Sequence, residues 1–322
     1  MLKILKGGIE SVVEDWPGRT GRLRDGMALS GAMDNVACQL GQLLVGNPID
    51  EAGIEVTAGG FQAEFGSDAL IAITGADLGC TINKQEVPLW KSFKVNKGDV
   101  IKFKMYKKQG FRAYLNVAGG IDVPKYLGSK STCLFGAYGG HEGRKLKTGD
   151  ELKFGKPYGP LEEGKKVKES AMPQYSNYWE LKSINGPNSS PNYVTPEGMY
   201  WLFDNVFDVG DQANRAGIYL GQVDEEWFFA QRDVGHPSNV IEHPYNVRGG
   251  LNIAASTPIL FPSDGPSLGG YICVLSVIHA ELWKMGQLIP GRDKIKFIQV
   301  SQDEANEERL KYYKWMSADS IE

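Results

Sequence analysis

The sequence has few residues of the kinds that bind metals or form disulfides. Of its 322 residues, four are cysteine and four are histidine, and no two cysteines form a C-x-x-C pair. Widely separated cysteines in such a chain are typical of reduced core residues, so we expect neither a disulfide nor a zinc site. His236 and His243 also lack a metal-binding spacing, and we predict no metal site.

Long apolar runs and an excess of basic residues are missing as well. No segment approaches the ~18 apolar residues that a membrane span needs, and the first residues lack the apolar centre of a secretory signal. The formal net charge of −4 does not favour nucleic acid or an anionic membrane surface. We therefore expect a cytoplasmic protein that interacts with neither.

Two common enzyme signatures are absent. Residues 128–132 read Gly-Ser-Lys-Ser-Thr but lack the G-x-x-x-x-G-K-[ST] spacing, so ATP binding of the Walker type is not expected. No G-x-S-x-G motif occurs, which argues against a Ser-His-Asp hydrolase. Near the start, Asp15 and Arg19 flank a Pro-Gly turn; the arginine could bind a carboxylate or phosphate, or the two side chains could pair locally.

Glycine is abundant, at 40 of 322 residues, and this suits turn-dense β structure better than long helices. Short apolar or alternating runs bounded by Gly, Pro, Asn or Asp predict strands. These runs lie at 69–73, 92–95, 100–103, 113–117, 151–154, 257–261 and 295–300. A Gly-Asp turn followed by an alternating run occurs twice, and a third copy carries an added arginine, which fits two similar barrels.

Helical patterns are few. An apolar face over 33–46 predicts one helix, begun by Ser30 or Asp34, and a second apolar face predicts a helix over 273–287. The charge-rich segment 302–316 predicts a surface helix. The sequence therefore predicts a mainly β architecture with a few inserted helices.

The chain is long enough for two domains that each bury a core. A stretch rich in glycine, proline and lysine begins near residue 155 and is typical of an exposed linker. We expect a first β-barrel subdomain at 1–155, a linker region at 156–185, a second β-barrel subdomain at 186–301 and a C-terminal surface helix at 302–322.

The segment 264–291 holds the densest set of candidate ligand-binding groups. It places a carboxylate (Asp264), a hydroxyl (Ser267) and a glycine pair (Gly269 and Gly270) within seven residues. Glycines let backbone N–H groups approach a ligand closely or turn toward an anion. A ligand site and a plain hairpin are equally supported by these residues alone.

Other polar side chains extend this set. Lys284 and Gln287 follow Glu281 at i, i+3 spacing and so share one helical face. Asn214 and Arg215 precede an apolar strand, and His236 and Asn239 lie in a polar loop. This inventory suits a small, planar, hydrogen-bonding substrate such as a urea, an amide or a carboxylate.

Several motifs, in this order and spacing, resemble the allophanate hydrolase subunit 2 family over about residues 8–301. They are Asp-x-x-Gly-Arg-x-Gly at 15–21, Gly-Ala-Met-Asp at 31–34, Ile-Thr-Gly-Ala at 73–76, Tyr-Leu-x-Val-Ala-Gly-Gly-Ile at 114–121 and Asn-Arg-x-Gly at 214–217. The family contains KipA-like proteins, the C subunit of 5-oxoprolinase and the matching half of the urea carboxylase carboxyltransferase domain. The blocks at 236–239, 264–271 and 281–287 are closer to the urea carboxylase version.

The resemblance implies two cyclophilin-like β-barrels and a subunit 1 (KipI-like) partner that completes the active site. It implies that carboxybiotin on a carrier protein releases its carboxyl group to urea or a similar small amide. Biotin and ATP would then act in the complex, with a biotin carrier and a biotin carboxylase as further partners, and this chain alone would bind no cofactor.

Two alternatives stay open within the resemblance: the C subunit of an ATP-dependent 5-oxoprolinase, which hydrolyses an amide without biotin, and a KipA-like regulator that binds a KipI-like partner. Either enzymatic role implies a subunit that is inactive alone. We expect Arg215 and Lys284 to hold anionic groups and Asp264 to act with them in catalysis. The expected substrate-binding residues are Asn214, Ser267, Gly269, Gly270, Gln287, His236 and Asn239.

Overall fold

The protein divides into two compact units. The structure is a computed structural model that describes residues 1–105, 108–223, 225–231, 238, 247–265 and 269–322. The first unit comprises Met1–Thr20, Ser30–Tyr175 and Tyr313–Glu322, and the second comprises Gly21–Leu29 and Ser176–Tyr312. Strand accounts for 32% of the described residues and helix for 18%, which confirms the mainly β prediction.

The described strands of the first unit form two antiparallel sheets. The strands are β1 (Leu2–Gly7), β2 (Glu10–Glu14), β3 (Gly53–Thr57), β4 (Phe61–Phe65), β5 (Ala69–Gly75), β6 (Thr81–Ile82), β7 (Gln85–Glu86), β8 (Ser92–Val95), β9 (Val100–Lys102), β10 (Arg112–Val117), β11 (Ile121–Asp122) and β12 (Glu151–Phe154). One sheet has the order β11-β12-β1-β4-β9-β6-β7 and the other β2-β3-β10-β5-β8. Apolar side chains from both sheets form a single buried cluster.

Helix α1 (Asn35–Leu44) packs on β5 and β10. Asp34 caps it, because its Oδ1 accepts a hydrogen bond from the Ala37 N–H at 2.8 Å. Gly41 permits the close approach to the sheet: a Cβ there would lie 2.0 Å from Nδ2 of Asn116 on β10. The helix predicted over 33–46 is therefore confirmed, with Asp34 rather than Ser30 as its cap.

The described strands of the second unit form one sheet of order β14-β19-β13-β18-β16-β17-β15. They are β13 (Tyr178–Asn185), β14 (Val206–Asp208), β15 (Ile218–Tyr219), β16 (Gly250–Ala254), β17 (Thr257–Leu260), β18 (Ile272–Val277) and β19 (Lys294–Gln299). β13 and β19 pair in parallel, with Leu181 opposite Phe297, whereas the other described pairs are antiparallel. β13 lies at the end of the segment predicted as a linker.

The structure has three further α-helices and four 3₁₀ segments among its described residues. They are α2 (Pro196–Asp204), α3 (Glu225–Phe228) and α4 (Gln302–Trp315), with 3₁₀ segments at Leu23–Asp25, Glu169–Ala171, His279–Gln287 and Ala318–Ser320. α4 confirms the predicted surface helix, since only Ala305 and Tyr312 of it are buried. None of the helices in the described ranges has the length and apolarity to cross a membrane.

The helix predicted over 273–287 is wrong in its first half. Ile272–Val277 forms β18 in the interior of the sheet, and all but one of its residues are buried. A short apolar run buried on both faces has no period that separates strand from helix, and β-branched residues such as Val274 favour the strand. Helical structure begins only at His279 and is of the 3₁₀ type.

Candidate functional site

Arg215 and Asp264, two of the predicted catalytic residues, form a buried ion pair in the second unit. Arg215 donates two parallel hydrogen bonds to the Asp264 carboxylate, Nε to Oδ2 at 3.0 Å and Nη2 to Oδ1 at 3.1 Å. The side chains are only 3% and 2% exposed. The Asp264 N–H also donates to the Arg215 carbonyl at 2.8 Å. The pair therefore fastens the start of the 264–270 segment to the chain at residue 215.

Asn214 shapes the turn that carries Arg215. Its Oδ1 accepts hydrogen bonds from the N–H groups of Ala216 (2.8 Å) and Gly217 (3.2 Å), as Asx turns do. Gly265 meets this turn closely, since a Cβ there would lie 2.5 Å from the Ala216 carbonyl oxygen. The amide of Asn214 thus has an observed role within the turn.

The glycine pair Gly269 and Gly270 is partly exposed. A Cβ on Gly270 would meet no heavy atom within 4 Å, so packing in the described structure does not require glycine there. Open space above a glycine leaves its backbone accessible to a ligand. Ser267, His236 and Asn239, the other predicted substrate-binding residues, lie outside the described residues.

Lys284 and Gln287 lie on the 3₁₀ segment His279–Gln287, where residues three apart fall on one face. Lys284 is 22% exposed; its Nζ contacts the Glu281 carboxylate and donates to the Glu180 carbonyl on β13 at 2.9 Å. Gln287 is fully buried. Within the described residues, no hydrogen bond or ion pair joins Lys284 to Arg215 or Asp264, so the structure brings together only the latter two.

The first unit contains a buried acid–tyrosine network that the sequence reasoning missed. Tyr114 donates to Oε2 of Glu55 at 2.6 Å and accepts the Asp34 N–H at 2.7 Å. Tyr175 donates to Oδ2 of Asp34 at 3.0 Å. Burial, together with the neighbouring carboxylates, raises the pKa of both tyrosines well above the ordinary value, so both remain protonated donors.

A signal for this network was present in the sequence. Glu55 is the one charged residue of strand β3 and lies between Ile54 and Val56, where burial without partners would be costly. Its other oxygen, Oε1, lies 3.2 Å from Nε of Arg112, and both side chains are buried. A glutamate at such a position predicts buried partners, although not which ones.

Asp15 and Arg19 do not pair with each other, and this corrects the local pairing considered above. The Asp15 carboxylate accepts hydrogen bonds from the hydroxyls of Ser129 (2.8 Å) and Ser131 (2.5 Å) and from the Lys130 N–H (2.6 Å). Arg19 donates instead to the Ser131 carbonyl oxygen. The two serine hydroxyls of the 128–132 loop are thus bound to Asp15, and its third hydroxyl, on Thr132, donates to the Val13 carbonyl at 2.9 Å.

All four cysteines are free and buried, as predicted for core residues. Burial raises the pKa of the Cys38 thiol far above its usual value and that of Cys273 to about 12. Within the described residues no group of three or more His, Cys, Asp or Glu side chains is arranged as a metal-binding set.

Comparison with known proteins agrees with this architecture. The chain is 37% identical over 314 residues to urea amidolyase of Saccharomyces cerevisiae, a match that covers 94% of this chain and 17% of that protein. It is 32% identical over 310 residues to the C subunit of 5-oxoprolinase from Escherichia coli, covering 95% of this chain and 93% of that subunit. The chain thus spans about a sixth of the urea amidolyase but almost the whole 5-oxoprolinase subunit.

The fold matches a solved enzyme of the same group. The crystal structure of Kluyveromyces lactis urea carboxylase superposes with a TM-score of 0.91 at 33% identity, over 100% of this chain and 30% of that one. The family model described as carboxyltransferase domain, subdomains A and B, matches residues 25–299. This chain therefore belongs to the carboxyltransferase domain A and B family.

Proposed function

We propose that this chain is the carboxyltransferase part of a multi-component enzyme that transfers a carboxyl group from carboxybiotin to urea or a similar small amide. The observation that carries the proposal is the similarity to urea amidolyase along 94% of the chain, at 37% identity against 32% for the 5-oxoprolinase subunit. Because the chain spans only 17% of the amidolyase, we infer that a subunit 1-type partner and other components supply the remaining steps, including those that use ATP.

The reaction requires two things of the protein near the reacting atoms. Cations or N–H donors must hold the carboxyl group and the ureido oxygen of carboxybiotin, which arrives as a substrate on its carrier. An acceptor must take the proton that the amide nitrogen loses when its new bond to the carboxyl carbon forms and the old bond from that carbon to biotin breaks.

Lys284 is the cation of the predicted set that remains partly open to solvent, and we assign it to the anionic group. Its short contact with Glu281 and its bond to the Glu180 carbonyl hold the ammonium in one place. In this proposal the partly exposed backbone at Gly269 and Gly270 supplies N–H groups as further donors to the substrate.

Arg215 and Asp264 act in this proposal as positioning residues. Their bidentate pair is closed and buried, so neither charge is available to a substrate while the pair is intact. The pair and the Asn214 turn fix where the 264–270 segment begins, and thereby where its glycines present their backbone. Gln287 is fully buried, so we assign it a supporting role rather than contact with the substrate.

A second candidate is the C subunit of a 5-oxoprolinase. One observation favours it: the match covers 95% of this chain and 93% of the Escherichia coli subunit. In that case the substrate is a cyclic amide, and no biotin carrier is needed.

A reconstitution distinguishes the two candidates. The chain would be combined with a subunit 1-type partner and ATP, and offered urea or 5-oxoproline with and without a biotin carboxylase and a biotinylated carrier, while phosphate release is measured. We expect turnover of urea that depends on the carrier. Turnover of 5-oxoproline without the carrier would overturn the first candidate in favour of the second.

The site assignment has its own test in the same assay. Lys284→Ala should lower kcat/KM for either substrate by about a hundredfold, as losses of a positioned charge-stabilising donor do. Lys311→Ala is the matched control, because Lys311 also forms an i, i+3 pair, with Glu308 on α4, and is 69% exposed. Full turnover by Lys284→Ala would show that the assignment is wrong whatever the substrate.

A further inference from the structure

The first unit contains a cavity of about 510 Å³ that the proposed function does not use. Asp122 and the residues after it form one side, and the rings of Tyr126 and Tyr138 line it. The loop 139–143, Gly-Gly-His-Glu-Gly, completes the wall. This volume lies in the range of small-molecule sites.

The loop presents unused hydrogen-bond donors. Its backbone has positive φ at Gly139 (72°), Gly140 (53°) and Glu142 (57°), which turns successive N–H groups in different directions from an ordinary strand or helix. Within the described residues, the N–H groups of 139–142 have no acceptor; the loop's internal bond runs from the Gly143 N–H to the Gly139 carbonyl at 2.8 Å. Clusters of such N–H groups bind anions.

A buried cation lies directly behind this wall. Arg19 is fully buried, and its guanidinium carbon lies 4.8 Å from the ring centroid of Tyr138 and 5.8 Å from that of Tyr126. Gly139 lies against it, since a Cβ there would be 1.9 Å from Nη2. Three residues of the cavity wall therefore face the guanidinium.

Among the described residues, the charge of Arg19 has no counterion. Its Nη2 donates to the Ser131 carbonyl, but Nε and Nη1 have no acceptor, and no ion pair joins it to a carboxylate in the described part of the chain. A buried guanidinium in this state is costly to the fold, because burial removes its hydration without replacing it. An anion placed in the cavity would offset that cost.

The acidic residues at the cavity limit how much negative charge it can hold. Glu142 is already paired with Arg144, and the nearby His141 Nε2 lies 3.6 Å from the Asp150 carboxylate. Asp122 is exposed and lines the cavity. A single negative charge is attracted by Arg19, whereas a second would be repelled by Asp122.

We propose that this cavity binds a small monocarboxylate. The carboxylate oxygens accept from the N–H groups of 139–142, Arg19 contributes its charge from behind Gly139 and Tyr138, and the body of the ligand lies against the tyrosine rings. The proposal does not rest on the proposed function, since the cavity is built from residues of the first unit alone.

Amide NMR of the full ¹⁵N-labelled chain tests the proposal without any turnover. Acetate and 5-oxoproline should shift the amide signals of 139–142, whereas 2-pyrrolidinone, the same ring without the carboxylate, should not. A response to 5-oxoproline confined to residues 214–217 or 269–270 would place that ligand in the second unit and overturn the proposal. No shift in 139–142, or an equal shift with 2-pyrrolidinone, would overturn the proposal.

Variants show whether charge is the cause. Arg19→Met should raise the Kd for acetate by about tenfold or more, which is the effect expected from the loss of one charge-assisted interaction. Asp122→Asn should tighten it severalfold, and Glu86→Gln, which removes an exposed carboxylate from the same sheet, should leave it unchanged. If Arg19→Met does not fold, Asp122→Asn decides: unchanged or weaker binding contradicts a charge-selective site.

Discussion

An arginine and an aspartate pair with each other in the second unit but not in the first. In the second unit, Arg215 and Asp264 neutralise each other through two parallel hydrogen bonds. In the first, Asp15 and Arg19 are only four positions apart, yet both bind Ser131 and not each other. A closed pair serves as a fastening, whereas an uncompensated cation retains its attraction for a ligand. For these two buried arginines, the difference separates the positioning role that we assign to Arg215 from the binding role that we assign to Arg19.

Breaking the closed pair should have the largest effect. Asp264→Ala removes the carboxylate that accepts both parallel hydrogen bonds of the buried Arg215 guanidinium, so we expect the free energy of unfolding to fall by about 3–5 kcal/mol. Urea denaturation of the purified chain measures it. The double variant Arg215→Met with Asp264→Leu should recover much of the lost stability, because both charges are removed together. If Asp264→Ala lowered the free energy of unfolding no more than a surface substitution does, the fastening role would be refuted.

The corresponding change in the first unit should cost far less. Arg19→Met removes a guanidinium whose charge is uncompensated and keeps most of its apolar stem against Tyr138, so we expect unfolding to become easier by less than about 1 kcal/mol. Arg215→Met, measured in parallel, should cost about 3 kcal/mol or more, since Asp264 is then left unpaired. Equal losses in the two variants would abolish the contrast between the units.

A third arginine–aspartate pair sharpens the comparison through its pH dependence. Burial has the largest single effect on the Asp150 carboxyl and would raise its pKa, but the hydrogen bonds and charge of Arg144, the Lys147 N–H and the nearby His141 together outweigh it and lower the pKa to about 2. Its contribution to stability is therefore present above the unfolded-state pKa of ~3.9 and is lost as the pH falls toward 2.

Arg144→Gln should move the pKa of Asp150 back toward ~3.9 and shift acid unfolding to higher pH. A carboxyl NMR titration measures the first effect and circular dichroism the second. Arg22→Gln, at an exposed pair with Asp25, is the control and should change neither curve. An unaltered Asp150 titration in Arg144→Gln would remove Arg144 as the cause.

Local patterns predicted the parts of the fold that depend on neighbours in sequence. α1 followed from an apolar face beside Asp34, and β12 from a Gly-Asp turn before an alternating run. The segment 272–277 was misassigned because its apolar residues are buried on both faces, so that periodicity carries no signal there.

The site could be predicted only in part. Asp264 and Arg215 were both predicted as site residues, but the ion pair between them joins positions 49 residues apart. Likewise, Asp15 binds Ser131, which is 116 positions away in the sequence. No local pattern shows that Asp15 and Arg19, four positions apart, do not pair with each other. Charged side chains reveal where chemistry can occur, whereas their partners are chosen by the folded backbone.

The parallel pairing of β13 with β19 has a consequence for synthesis. The first strand of the second unit obtains one of its two neighbours only from the last strand of that sheet. During translation, β13 emerges from the ribosome long before β18 and β19, its two neighbours in the sheet, and until then both of its edges stay unpaired. The nascent chain therefore exposes those edges to self-association, and we expect slow production or chaperone assistance to improve its yield.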